Sequence, residues 1–223
     1  MLLQLAQEVN QLTASIVTHL KKVNCAEPDF SISSAEVPSD KEYNGLRDAL
    51  NDTASDLILL VNGPRHHARK FITSHNDLAA YQVAFEYDLF NAIPEHESAD
   101  LGVLAKSTGI DEDRLGRMLR LMCTHRMFKE IEGNRFCHTS GSVVFARDKD
   151  LKAAGDYTLD EMFKASSETA SSIRTKRKCP FEQRHGVSLF EYYNNNPKLG
   201  ARFASAMKGI TRRQYGASIS LSE

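Results

Sequence analysis

The sequence predicts a mainly α fold: a helical dimerisation domain carrying an embedded winged helix with a small β-wing, and no Rossmann domain. Three observations predict it. Apolar residues recur at spacings of three and four along most of the chain, the period of a helix face. Only two short strand-like runs occur, FKEI and RFCHT, and they flank one turn. The 12 glycines never stand two apart, so there is no GxG turn, and no β-α-β alternation is visible.

Taken in order, residues 2–23 place Leu2, Leu5, Val9, Leu12, Ile16, Leu20 and Val23 on one long, narrow stripe. Such a stripe needs a partner surface, either a neighbouring helix of the same chain or a second subunit. Residues 24–38, with Pro28, Pro38 and several serines, read as a loop. Ser39 to Glu42 fit a capping box with Ser39 as the cap. The helix that follows carries Leu46, Ala49, Leu50, Thr53, Leu57, Leu60 and Val61, and Asn62-Gly63-Pro64 ends it. Residues 65–75 form a basic, histidine-containing turn or short helix. Asn76 or Asp77 caps an apolar helix through Leu78, Val83, Phe85, Leu89 and Phe90, broken at Ile93-Pro94. Ser98 caps a short helix closed by Gly109, and Asp111 caps a second with Leu115, Met118, Leu119 and Met122 at helical spacing. The two strand-like runs then turn at Glu132-Gly133-Asn134. Helix, turn, helix and hairpin in this order describe a winged helix. The remainder reads as helices over about 151–172, 188–194 and 197–216, with a Lys/Arg-rich loop at 174–178. The divisions expected are a dimerisation arm (1–75), a winged-helix-like region (76–150) and a helical wall or linker region (151–223).

Composition narrows the function. A net charge of -1, 41% hydrophobic and 26% charged residues describe an ordinary soluble domain without bias toward nucleic acid or anionic membrane. No apolar run approaches the roughly 18 residues that span a bilayer. The N-terminus lacks a basic n-region and is interrupted by Gln4, Gln7 and Glu8, unlike a secretory signal. Cys25, Cys123, Cys137 and Cys179 form no CxxC pair, which fits reduced thiols in the cytoplasm.

Each chemical motif has a plain structural reading. The second winged-helix helix offers Arg114, Arg117, Arg120 and Arg126 to DNA, but Asp111, Glu112 and Asp113 occupy the N-terminal end where base readers sit. The basic footprint of a DNA reader is missing, so no nucleic acid is expected. Cys123, His125, Cys137 and His138 match no zinc spacing and read as a buried thiol with surface histidines, so no metal is expected. His66, His67 and His75 lack a nucleophile in motif context and read as solvent-facing; nothing resembles a GxSxG elbow.

Three blocks in sequence resemble the N-terminal part of small-molecule O-methyltransferases of the plant caffeate/flavonoid type and their fungal counterparts. They are EYDLFNAIPEH at 86–96, LGVLAKSTGIDEDRLGRMLRLMCTHRMFKEIEGNRFCHTSGS at 101–142 and PFEQRHGVSLFEYYNNNPKLGARFASAMKG at 180–209. The HTS motif and the loop after the first helix look more fungal than plant. The resemblance implies an intertwined homodimer whose helical domain roofs the substrate pocket, with a winged helix that does not bind DNA. Carried over the third block, the substrate-facing candidates are Leu189, Tyr193, Leu199, Phe203 and Met207. Leu199, Phe203 and Met207 fall on one helix face, suited to a flat aromatic or polyketide-like molecule; the same stripe equally suits core packing against a neighbouring helix.

The family's S-adenosylmethionine site and catalytic histidine belong to a C-terminal domain, and no position here matches them. The expected reading is a shortened O-methyltransferase of fungal secondary metabolism, with no catalytic or cofactor-binding residue. Two alternatives stand beside it. One is a non-methylating cyclase, isomerase or dehydratase using the apolar dimer cavity. The other is a binding or regulatory partner that forms a heterodimer with a full-length relative.

Overall fold

The computed structural model describes residues 1–175 and 179–211. Part of the Lys/Arg-rich loop (176–178) and the end of the last expected helix (212–216) lie outside the described residues. The elements are α1 (Leu2–Lys22), α2 (Lys41–Thr73), α3 (His75–Glu86), α4 (Leu89–Ala92), β1 (Ala99–Asp100), α5 (Leu101–Thr108), α6 (Glu112–Thr124), β2 (Phe128–Ile131), β3 (Arg135–His138), α7 (Ser140–Arg147), α8 (Lys149–Asp156), a π-helical turn (Tyr157–Met162), α9 (Phe163–Ser166), α10 (Thr169–Thr175), α11 (Pro180–His185), α12 (Leu189–Asn195) and α13 (Pro197–Thr211). The chain divides into two compact units, one ending at Asp77 and the other beginning at Leu78.

In the first unit, α1 packs on α2. Leu20 is fully buried, while Leu5, Val9, Leu12 and Ile16 are half-buried, so the apolar stripe of α1 has a partner within the chain. The cap of α2 differs from the expectation. Asp40, not Ser39, caps it, its carboxylate accepting from the Tyr43 amide at 3.0 Å. The same Asp40 carboxylate meets the buried His19 Nε2 at 3.0 Å, so one side chain both starts α2 and ties α1 to it. At Gly63 the backbone leaves the helix with φ of 68°, as the Asn-Gly-Pro signal predicts, and Pro64 then opens a further helical stretch to Thr73. Residues 65–73 are therefore helix.

In the second unit, α5, α6 and a three-stranded antiparallel sheet of order β1-β3-β2 form the winged helix. Phe128 pairs with His138 and Ala99 with Phe136 across the sheet. The hairpin needs two positive φ angles, taken by Gly133 and Asn134. Its core joins Phe85, Phe90, Phe128 and Phe136 to Leu104, Leu115, Leu119 and Met122. Asp111 caps α6 as expected, accepting from the Arg114 amide at 3.1 Å. Two other helix starts differ. Asp100, not Ser98, caps α5 through the Gly102 and Val103 amides, while Ser98 Oγ accepts from Arg135 Nε at 2.8 Å. Helix α3 starts at His75, which puts Asn76 and Asp77 inside its first turn, and it stops at Glu86 before the left-handed Asp88.

Beyond the wing, Thr139 caps α7 in a capping box with Ser142. Helices α8 and α13 approach at Gly209, where an added Cβ would lie 2.3 Å from the Asp150 carbonyl oxygen. Ser205 Oγ donates to the Asp150 carboxylate alongside it. The stretch expected as one helix over 151–172 is broken into α8, the π turn, α9 and the start of α10.

Candidate functional site

The winged helix is packed as a structural element. His138, expected at the surface, is buried; its Nδ1 lies 2.8 Å from Ser142 Oγ and its Nε2 lies 3.1 and 3.0 Å from the carbonyl oxygens of Phe90 and Ile93. Two carbonyls at Nε2 require Nε2–H there, which leaves Nδ1 to accept from the serine in a neutral ring. Burial, the largest influence, holds its pKa below the usual 6.5. Burial likewise pushes the half-buried Cys123 thiol up to about 11. Among the described residues no three His, Cys, Asp or Glu side chains converge as a metal site. On α6, Arg117 pairs with Asp113 at 2.5 Å, and Arg120 forks onto Glu130 and reaches Asn134 at 2.8 Å. Two of the four arginines are thus committed to carboxylates of this chain.

The five residues carried over from the third block fall on α12 and α13. Leu189 opens α12 and Tyr193 stands one turn later on the same helix. Leu199, Phe203 and Met207 lie on one face of α13 and are each half-buried, as is Leu189. Tyr193 is buried, at 7% exposure. The structure brings Tyr193 and Phe203 together as stacked rings, 4.9 Å between centroids and 24° between planes. Tyr157 closes on Phe203 edge-on at 5.4 Å. A second aromatic group sits beside it: the His185 ring lies 4.3 Å from Phe181 and 4.4 Å from Tyr192. Burial, then the neighbouring Arg184 charge, lowers the His185 pKa.

Sequence reasoning missed the polar half of this cluster. Glu161, in the π turn and 4% exposed, accepts from the Tyr193 hydroxyl at 2.6 Å through one oxygen. Its other oxygen accepts from Arg202 Nη2 at 2.7 Å. The same Nη2 reaches Asp160 at 2.7 Å, and Lys164 pairs with Asp160 at 2.5 Å. Burial and the Glu161 carboxylate both push the Tyr193 phenol well above its usual range. Burial opposes charge on Asp160, yet the bonds from Lys164 and Arg202 hold its pKa below the ordinary carboxylate range. Two signals were present: an Asp-Glu pair inside an apolar run, and Arg202 beside Phe203. Neither announces a contact about forty residues away, because only the widened π turn aims both carboxylates at α13.

Helices α5, α6, α7 and α8 are closed at their N-termini by their own caps, Asp100, Asp111, Thr139 and Asp148. The glycines of positive φ stand at a helix kink (Gly63), at helix ends (Gly109, Gly186) or in the hairpin turn (Gly133). None lies between a strand and a helix, the place a nucleotide-type cofactor needs.

A helical protein with an embedded winged helix and an aromatic, ion-paired helix cluster is the class defined so far. No protein-family model matches the chain. The O-methyltransferase sol2 of Alternaria solani is 42% identical over 212 residues, spanning 92% of this chain and 50% of that protein. The O-methyltransferase phnC of Penicillium herquei is 23% identical over 222 residues, spanning 95% of this chain and 52% of that protein. In fold, the crystal structure of OxaC matches with a TM-score of 0.70 at 19% identity, over 92% of this chain and 51% of OxaC; OxaC is also known in complex with SAH and oxaline. The chain matches the N-terminal portion of fungal O-methyltransferases. It spans about half the length of the curated relatives it matches.

Proposed function

We propose that this chain supplies the dimer interface and substrate wall of a fungal small-molecule O-methyltransferase system. The observation that carries the reading is the stacked Tyr193–Phe203 pair. The half-buried Leu189 shares α12 with Tyr193, and the half-buried Leu199 and Met207 share the Phe203 face of α13; such aliphatic, aromatic and thioether groups suit a planar aromatic or polyketide-like molecule. On this reading the chain works in the cytoplasm and does not transfer a methyl group by itself. Titration with naphthol, a planar phenol, tests the wall: saturable binding is expected, and its absence overturns the reading.

Dimerisation rests on the first unit. Val61, Phe71 and Ile72 on α2 are 67–73% exposed, and Ile58 and Leu60 join them. Exposed apolar residues on both sides of the Gly63 kink suit an association site. Light scattering is expected to give twice the chain mass of 25.0 kDa; a monomer that pairs only when mixed with a full-length relative would favour the heterodimer instead.

A further inference from the structure

The polar cluster beneath the aromatic pair has its own logic. Glu161 is nearly inaccessible, and both of its carboxylate oxygens are used: Oε2 by the Tyr193 hydroxyl, Oε1 by Arg202 Nη2. A buried carboxylate is costly unless it is paired and hydrogen-bonded, and this one is both. A tyrosine needs no such partner for packing, since a phenylalanine would fill the same space. The arrangement also spans three separate elements. Glu161 comes from the π turn, Tyr193 from α12, and Arg202 from α13, one residue before Phe203. Arg202 is therefore gripped by Asp160 and Glu161 on the side of the turn, which fixes the azimuth of α13 and with it the ring of Phe203. Tyr157, at the start of the same π turn, touches Phe203 from its edge. One irregular turn thus sets both rings of the pair, one through a phenol hydrogen bond and the other through an arginine. A regular α turn would rotate successive side chains by about 100° and could not aim Asp160 and Glu161 at one guanidinium nitrogen as readily.

We propose that Glu161 is a positioning residue of the substrate wall: its carboxylate holds the Tyr193 ring and, through Arg202, the Phe203 ring in the stacked orientation that receives a planar ligand. The proposal rests on the wall reading above. Asp160 and Lys164 are the supporting ion pair, and Asp160 alone leaves the Tyr193 bond untouched.

The test uses the full chain and three substitutions that keep side-chain volume: Glu161→Gln, Tyr193→Phe and Asp160→Asn. The first readout is the tyrosine Fermi-doublet ratio in ultraviolet resonance Raman spectra. The wild-type minus Tyr193→Phe difference isolates Tyr193 as a strong hydrogen-bond donor. In Glu161→Gln an amide replaces the carboxylate, and that donor signature is expected to be lost, while Asp160→Asn keeps it. The second readout is naphthol affinity, expected to fall by about tenfold in Glu161→Gln and by less in Asp160→Asn. An unchanged Tyr193 signature in Glu161→Gln overturns the proposal. A lost signature with unchanged affinity overturns it too, because the wall would not need the positioning. A wild-type chain that binds no naphthol overturns the wall reading itself, whatever the Raman spectra show, so the two failures are told apart.

Discussion

His138 shows what a single residue fixes in this fold. It joins β3 to the carbonyls that end α4, and it does so as a neutral ring in the core. Its folded pKa lies below the usual 6.5, so the unfolded chain binds a proton more readily. Stability is then complete above about pH 6.5 and falls as the pH drops below that value, with carboxylates such as Glu95 and Asp160 adding their loss only at lower pH. Chemical denaturation at a series of pH values checks this. The wild type should lose stability as the pH falls below 6.5, and His138→Gln should flatten that slope while costing about 1–3 kcal/mol for the carbonyls left poorly paired. An unchanged slope would contradict the account. Neither burial nor partners of this histidine were legible in the HTS motif alone, since the acceptors stand 45 and 48 residues earlier.

At the scale of elements, the sequence was most readable where local rules act. Gly109 closes α5 and Asp111 caps α6, because both signals depend only on neighbouring residues. The hairpin turn at Gly133-Asn134 was legible for the same reason. Caps shifted by one or two residues where two candidates competed: Asp40 displaced Ser39 because it can also reach His19, and Asp100 displaced Ser98 because Arg135 claims the serine. The two-residue β1 and the π turn carry no local signal of their own and were not foreseen; helix α7 was not foreseen either, although Thr139 and Ser142 mark its start. Of the candidate site, the apolar side was legible from helical spacing and from the resemblance, whereas Glu161 and Arg202 meet only in three dimensions. Helix α13 owes its place to Gly209, which lets it lie against the backbone of α8. Gly209→Ala should force the two helices apart and destabilise the second unit by about 1–3 kcal/mol. Thermal unfolding measures this, and a variant as stable as the wild type would show that the close approach is not needed.

For the whole molecule, the two units carry different work. The first exposes the apolar residues Ile58, Leu60, Val61, Phe71 and Ile72 of α2, and the second carries the stacked pair and its ionic support. Among the described residues no helix is long and apolar enough to cross a membrane. The relatives it matches are fungal O-methyltransferases, of which the chain covers about half. Whether these residues form a substrate wall is decided by methyl-resolved NMR during a naphthol titration. A wall predicts saturable shifts at the methyl groups of Leu189, Leu199 and Met207, with those of the winged-helix core residues Leu104 and Leu115 unmoved. Shifts scattered over both units, or confined to the winged helix, would contradict it.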